Sequence, residues 1–135
     1  MATVFGAAIG AEREITEQAA GLRTHMLVCI GACVFTLAGI FGFGVRGVDP
    51  SRVAAQIVTG IGFLGAGAIL RERGSIHGLT TAASVWVTAA VGLAIGAGMY
   101  WVGGFAVAVT VLSLWVLRPL RRWLRDSRLS REPDD

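Results

Sequence analysis

A chain of 135 residues with 54% apolar residues, 16% charged residues and a mean hydropathy of +0.66 is too apolar for an ordinary soluble domain, where about a quarter of residues are charged. Its length allows one compact unit. A net charge of +3 with no folded soluble module beside it argues against a nucleic-acid-binding protein.

The charges are segregated. No Asp, Glu, Lys or Arg occurs between Met1 and Ala11, His25 and Val45, Val53 and Leu70, or Thr80 and Leu117, the pattern of segments that live in lipid. As a helix the first run would extend about 16 Å, short of the roughly 30 Å hydrocarbon layer. It is therefore a half-span or the remainder of a helix beginning upstream, and without a basic leader it does not read as a cleaved signal peptide. "GAERE" then sets Glu12, Arg13 and Glu14 at a boundary, and "GLRTH" sets Arg23, Thr24 and His25 at the start of the next run. The two clusters flank one short loop and could pair across it, or anchor the chain by snorkelling. No second soft ligand is spaced to join His25 in a metal site. A hard cation such as Mg²⁺ would want carboxylates and retained waters, which Glu12, Glu14 or Asp49 could supply.

In the second helix Cys29 and Cys33 lie four apart on one face and read as small apolar fillers, since no C-x-x-C or Cys/His cluster accompanies them. "VDPSRVAAQ" places Asp49, Arg52 and Gln56 at i, i+3 and i+7 on one face of the third. Asp49 before Pro50 is a helix start with a capping carboxylate, while intramembrane polar groups are also candidate sites. Gln56 lies deeper than any cap and should pair across helices. "GIGFLGAGAIL" contains Gly60-x-Gly62-x-x-Gly65, the spacing of a dinucleotide-binding loop, which needs a preceding strand and an acidic residue about 20 positions on. "RVAAQIVT" reads instead as the start of a helix and "TTAASVWVT" carries no acid. In lipid, small residues bring helices together. Ala55, Thr59, Gly62 and Ala66 share a face, Gly60, Gly65 and Gly67 adjoin it, and Gly6/Gly10 and Gly92/Gly96 form Gly-x-x-x-Gly pairs. These predict tight packing within the bundle or on a second copy, as in a homodimer.

In the fourth helix Thr80 reads as the N-cap after the Gly78 break. Thr81, Ser84 and Thr88 form a polar stripe that either bonds carbonyls of its own helix or lines a path or locks helices together. The 38 residues from Thr80 to Leu117 are too many for one crossing, and "GAGMYWVGG" predicts a turn at about residues 97–103, with Tyr100 and Trp101 at headgroup level. The fold class expected is all-α: a polytopic transmembrane helical bundle over residues 1–117, with four full spans plus a short first helix. Residues 118–135 read as a basic tail whose Leu117, Leu120, Trp123 and Leu124 alternate with arginines, suited to anionic lipids, ending in a disordered "REPDD". Arg13, Arg23, Arg71, Arg73 and the six tail arginines face Arg46 and Arg52 across the bilayer. The positive-inside rule puts the C-terminus in the cytoplasm.

"IGAERE", "AGLRTHMLVCIG", "DPSRVAAQIVTGIGFLGAGAIL" and "GLTTAASVWVTAAVGLAIGAG" resemble the MgtC/SapB family of bacterial inner-membrane proteins over about residues 6–117. The resemblance implies a five-helix membrane domain and a link to growth under magnesium limitation, acid stress and survival of pathogens in host cells. For some members it implies inhibition of the F-type ATP synthase rather than transport. The family's recurrent polar positions match Glu12, Arg13, Arg23, Thr24, Asp49, Arg52, Gln56, Thr80, Thr81 and Trp86. Long members carry a cytoplasmic ACT-like domain after the membrane part, whereas about 18 residues follow the last predicted span here. The expectation is a non-enzymatic membrane regulator without a cofactor, and the alternative is a small carrier or channel for Mg²⁺ or a monovalent cation. No Ser/His/Asp or Cys/His arrangement suggests an enzyme.

Overall fold

The computed structural model describes residues 1–42, 49, 51–72 and 75–129. In chain order they form α1 (Ala2–Ile15), α2 (Leu22–Phe41), α3 (Ser51–Gly67), β1 (Leu70–Glu72), β2 (Ser75–His77), α4 (Leu79–Gly96) and α5 (Tyr100–Leu129). The architecture is helical, as the charge-free runs predict. α3 runs unbroken through Gly60, Gly62 and Gly65, so no phosphate-binding loop exists there.

Among the described residues, α2 with 20 residues and α4 with 18 are long and apolar enough to cross a membrane. α3 has 17 residues, and the apolar part of α5 covers Tyr100–Val116. α1 has 14 residues, about 21 Å at 1.5 Å per residue, so it remains a partial span. The exterior is apolar too: Phe63 is 79% exposed, Phe105 73%, Trp101 94% and Trp115 70%. An exposed apolar surface this continuous suits lipid rather than water.

α4 is the centre of the bundle and touches the other four helices. Its buried residues run from Thr81 to Gly96 and include Val85, Ala89, Val91 and Ile95. One apolar cluster joins Ile9 of α1, Cys29 of α2, Val91 and Ile95 of α4 and Val107 of α5. A second joins Ala20, Ala32, Ile61, Val85 and Ala89.

Glycine sets how closely α2 is gripped. A Cβ added at Gly6 would lie 2.7 Å from the His25 carbonyl oxygen, and one at Gly10 would lie 2.7 Å from Leu22 Cα. From the opposite side, a Cβ at Gly92 would collide with the Cys29 carbonyl oxygen, and one at Gly96 would lie 2.7 Å from that of Cys33. Both Gly-x-x-x-Gly pairs therefore seat backbone on backbone against α2. The glycines of α3 behave differently. A Cβ at Gly60, Gly62 or Gly67 would meet nothing within 4 Å, and one at Gly65 would make only ordinary contact, 3.7 Å from Ala82 Cβ.

Three details depart from the sequence reading. The connection between α3 and α4 holds a small hairpin in which Leu70 pairs with His77 and Glu72 with Ser75. It closes because Gly78 takes φ +86° and any side chain there would strike the Ala68 carbonyl. Gly78, not Thr80, is the N-cap of α4, with no side-chain cap, so Thr80 sits inside the first turn. The α4–α5 turn is shorter than expected, residues 97–99, with Gly98 at φ +78°. The basic tail continues α5 as far as Leu129, and the disorder expected of "REPDD" lies outside the described residues.

Candidate functional site

The polar residues of α1, α2 and α4 converge where α1 ends and α2 and α4 begin. Glu12 is 9% exposed, Arg13 4%, Thr81 and Ser84 3%, and His25 and Thr88 0%. Burial of this kind is expensive unless every group finds a partner.

Arg13 lies at the C-terminal end of α1, pointing into the bundle. Its Nη2 donates to Gln18 Oε1 at 2.8 Å and to Thr81 Oγ1 at 3.2 Å, and its Nη1 lies 3.7 Å from Glu12 Oε2. One guanidinium thus ties α1 to the turn after it and to α4, 68 residues away. Its neighbour Glu14 turns outward and accepts the Leu22 backbone N–H at 2.9 Å, satisfying one of the free donors at the start of α2. Gly21 permits this approach, since a side chain there would strike the Glu14 carboxylate.

His25 occupies the second tier. Its Nδ1 lies 2.8 Å from the Gly21 carbonyl oxygen and its Nε2 3.1 Å from Ser84 Oγ. A carbonyl can only accept, so Nδ1 carries a proton, and in a neutral ring Nε2 must accept. Ser84 also lies 2.8 Å from the Thr81 carbonyl oxygen, so its single proton has two acceptors within reach. Thr88, one turn deeper, donates to the Ser84 carbonyl at 2.8 Å. Within the stripe, Thr81 meets Arg13 of α1, Thr88 bonds its own helix, and Ser84 has both a carbonyl of its own helix and His25 of α2 within reach.

Other positions singled out from the sequence lie elsewhere. Arg23, Thr24 and Thr80 are exposed, and Trp86 is 49% exposed on another face of α4. Asp49 is exposed ahead of α3, where its Oδ1 accepts the Ser51 N–H at 2.9 Å, as the capping reading expects. Hydrogen bonds from the Ser51 hydroxyl and N–H hold its carboxyl below the usual range, and Arg52 adds to this. Arg52 and Gln56 line a groove between α2 and α3. Among the described residues Gln56 has no cross-helix hydrogen-bond partner.

α3 and α4 run antiparallel through the hairpin, so Thr81 lies beside the end of α3 and Asp49 ahead of its start, about 25 Å away along 17 residues. The carboxylates of Glu12 and Asp49 therefore do not meet around one cation. Among the described residues no three His, Cys, Asp or Glu side chains group to hold a metal ion. Sequence reasoning undervalued His25 and missed Gln18. The available signal was spacing: His25, Cys29, Ala32 and Thr36 are the buried residues of α2, at i, i+4, i+7 and i+11.

The model of the MgtC family matches residues 1–123. The chain is 47% identical over 126 residues to the putative magnesium transporter YhiD of Escherichia coli (strain K12), covering 89% of this chain and 59% of that protein. It is 46% identical over 120 residues to protein MgtC of Brucella abortus (strain 2308), covering 88% and 49%, and 46% identical over 113 residues to protein MgtC of Salmonella typhimurium (strain LT2), covering 84% and 46%. The chain thus spans about half the length of these relatives. No solved structure matches it.

Proposed function

The chain belongs to the MgtC family, and from that premise we propose that it is a multi-pass protein of the bacterial inner membrane serving magnesium homeostasis and adaptation to low magnesium or acid stress. In a pathogen this would contribute to survival in the host. It acts as a regulator without catalysis or a cofactor, through helix contacts with a second copy or with another membrane complex, of which the F-type ATP synthase is one. Four spans follow α1, and the C-terminus is cytoplasmic.

The observation that carries the reading is the closed cluster. Arg13, His25, Thr81, Ser84 and Thr88 bond one another and their own helices, and the remaining polar positions, Asp49 and Gln56, lie toward the far end of α3. A conducting path would want these groups strung along one passage. The second reading, a carrier for Mg²⁺ or a monovalent cation, is favoured by the name of one relative, a putative magnesium transporter.

Growth of a deletion strain in low magnesium tests the proposal. Wild type restores growth, Arg13→Ala fails because the cluster loses its centre, and Asp49→Asn restores growth because Asp49 acts as a cap. Full rescue by Arg13→Ala would remove the cluster from the function.

A further inference from the structure

α2 and α3 splay apart on one side of the bundle, leaving a groove of about 600 Å³ whose floor includes Ala89 of α4. Gly31 of α2 and Gly60 of α3 line its facing walls, and a Cβ added to either would meet nothing within 4 Å. No contact within the chain requires glycine there. What the two glycines provide is room.

The groove runs along α3 from Arg52 to Leu64, twelve residues or about 18 Å of helix, close to the depth of one leaflet of a roughly 30 Å hydrocarbon layer. An unbranched hydrocarbon chain is far thinner than an α-helix, which with its side chains is about 10 Å across or more, and it matches a slot of this length.

The lining is apolar except at the end where α3 begins. There Arg52 contributes a guanidinium and Gln56, one turn deeper, an amide. Among the described residues no side chain hydrogen-bonds or ion-pairs with the Arg52 guanidinium. The nearby Asp49 carboxylate takes its hydrogen bond from Ser51 and interacts with Arg52 only through charge. A cation at the mouth of a leaflet-deep apolar slot complements an amphiphile with an anionic head.

We propose that the α2–α3 groove binds one acyl chain of an anionic phospholipid, whose phosphate is held by Arg52 and Gln56 at the leaflet where α3 begins. This site is separate from the basic tail and stands independently of the magnesium reading. It requires only that the chain resides in a bilayer.

Native mass spectrometry of the full chain, released from nanodiscs containing equal phosphatidylglycerol and phosphatidylcholine, tests the proposal. Wild type should retain one lipid, with phosphatidylglycerol favoured about fivefold, the factor one arginine contributes at an anionic surface. Gly60→Leu puts a side chain into the slot from a position where a Cβ meets nothing within 4 Å, and should lose the retained lipid. Gly31→Leu, from the facing wall, should do the same and serves if the first variant misfolds. Arg52→Gln should keep a lipid and lose the preference. Wild type without retained lipid, retention as in wild type by both glycine variants, or an unchanged preference in Arg52→Gln would overturn the proposal. So would a wild-type dimer that Gly60→Leu dissociates, since it would assign the groove to a second copy.

Discussion

Arg13 carries more of the architecture than any other single side chain of the cluster, because one planar fork reaches Gln18, Thr81 and Glu12. Removing one partner of a buried ion pair leaves the other charge buried, at a cost of about 3–5 kcal/mol. Arg13→Ala should therefore lower detergent-solubilised stability by that order, and Arg13→Lys should recover only part of it, because an ammonium cannot reproduce the fork. A thermal-shift series reads both. An Arg13→Ala variant as stable as wild type would show that the guanidinium is solvated rather than bound. Asp49 gives a pH-dependent prediction of known sign. Its carboxyl is held below the ordinary value, about 3.9, by Ser51, so its contribution is complete above that value and is lost as pH falls through the depressed one. The stability gap between wild type and Asp49→Asn should be constant near neutrality and close below about pH 4. A gap that persists into strong acid would mean that the negative charge is irrelevant. Residue by residue, the Asp49 cap was legible because capping is local and acts two positions away, whereas the Thr80 cap was not, because the left-handed Gly78 starts α4 earlier. The His25–Ser84 and Arg13–Thr81 bonds were not, because they span 59 and 68 positions and nothing local announces them.

At the scale of elements, α2 is held between two glycine faces while α3 leaves its own glycines open. The contrast separates two kinds of glycine that look alike in the sequence. Gly92→Leu should force α2 and α4 apart and destabilise the protein by about 1–3 kcal/mol, the usual cost of overpacking. Gly62→Ala should be neutral or slightly stabilising, since its Cβ has open space and alanine is the better helix former by about 1 kcal/mol. Unfolding of both variants in mixed micelles measures the difference, and equal destabilisation would mean that α3 is packed against something in the micelle. The helix count followed from the charge-free runs and the glycine cluster that divides the last of them, and the Gly6/Gly10 and Gly92/Gly96 faces were visible as pairs. Which glycine faces point inward was not visible. Bilayer and bundle interior are equally apolar, so hydrophobicity marks neither side.

For the whole molecule, the arrangement is a bundle closed around α4, with an apolar belt outside, a polar knot at the end where α1 terminates and a slot between α2 and α3. The polar stripe on α4 was legible as a stripe. Its purpose was not, because a hydroxyl that lines a path and one that locks two helices follow the same helical spacing. In the structure each hydroxyl has a partner within the bundle: Arg13 for Thr81, His25 for Ser84 and the α4 backbone for Thr88. If these contacts are locks, the bundle does not conduct. The most direct test is Mg²⁺ entry into proteoliposomes containing only this chain, followed with an entrapped indicator. Entry should be no faster than in protein-free vesicles, with or without a membrane potential. Saturable entry that is abolished by Thr81→Ala or Ser84→Ala in folded protein would contradict it.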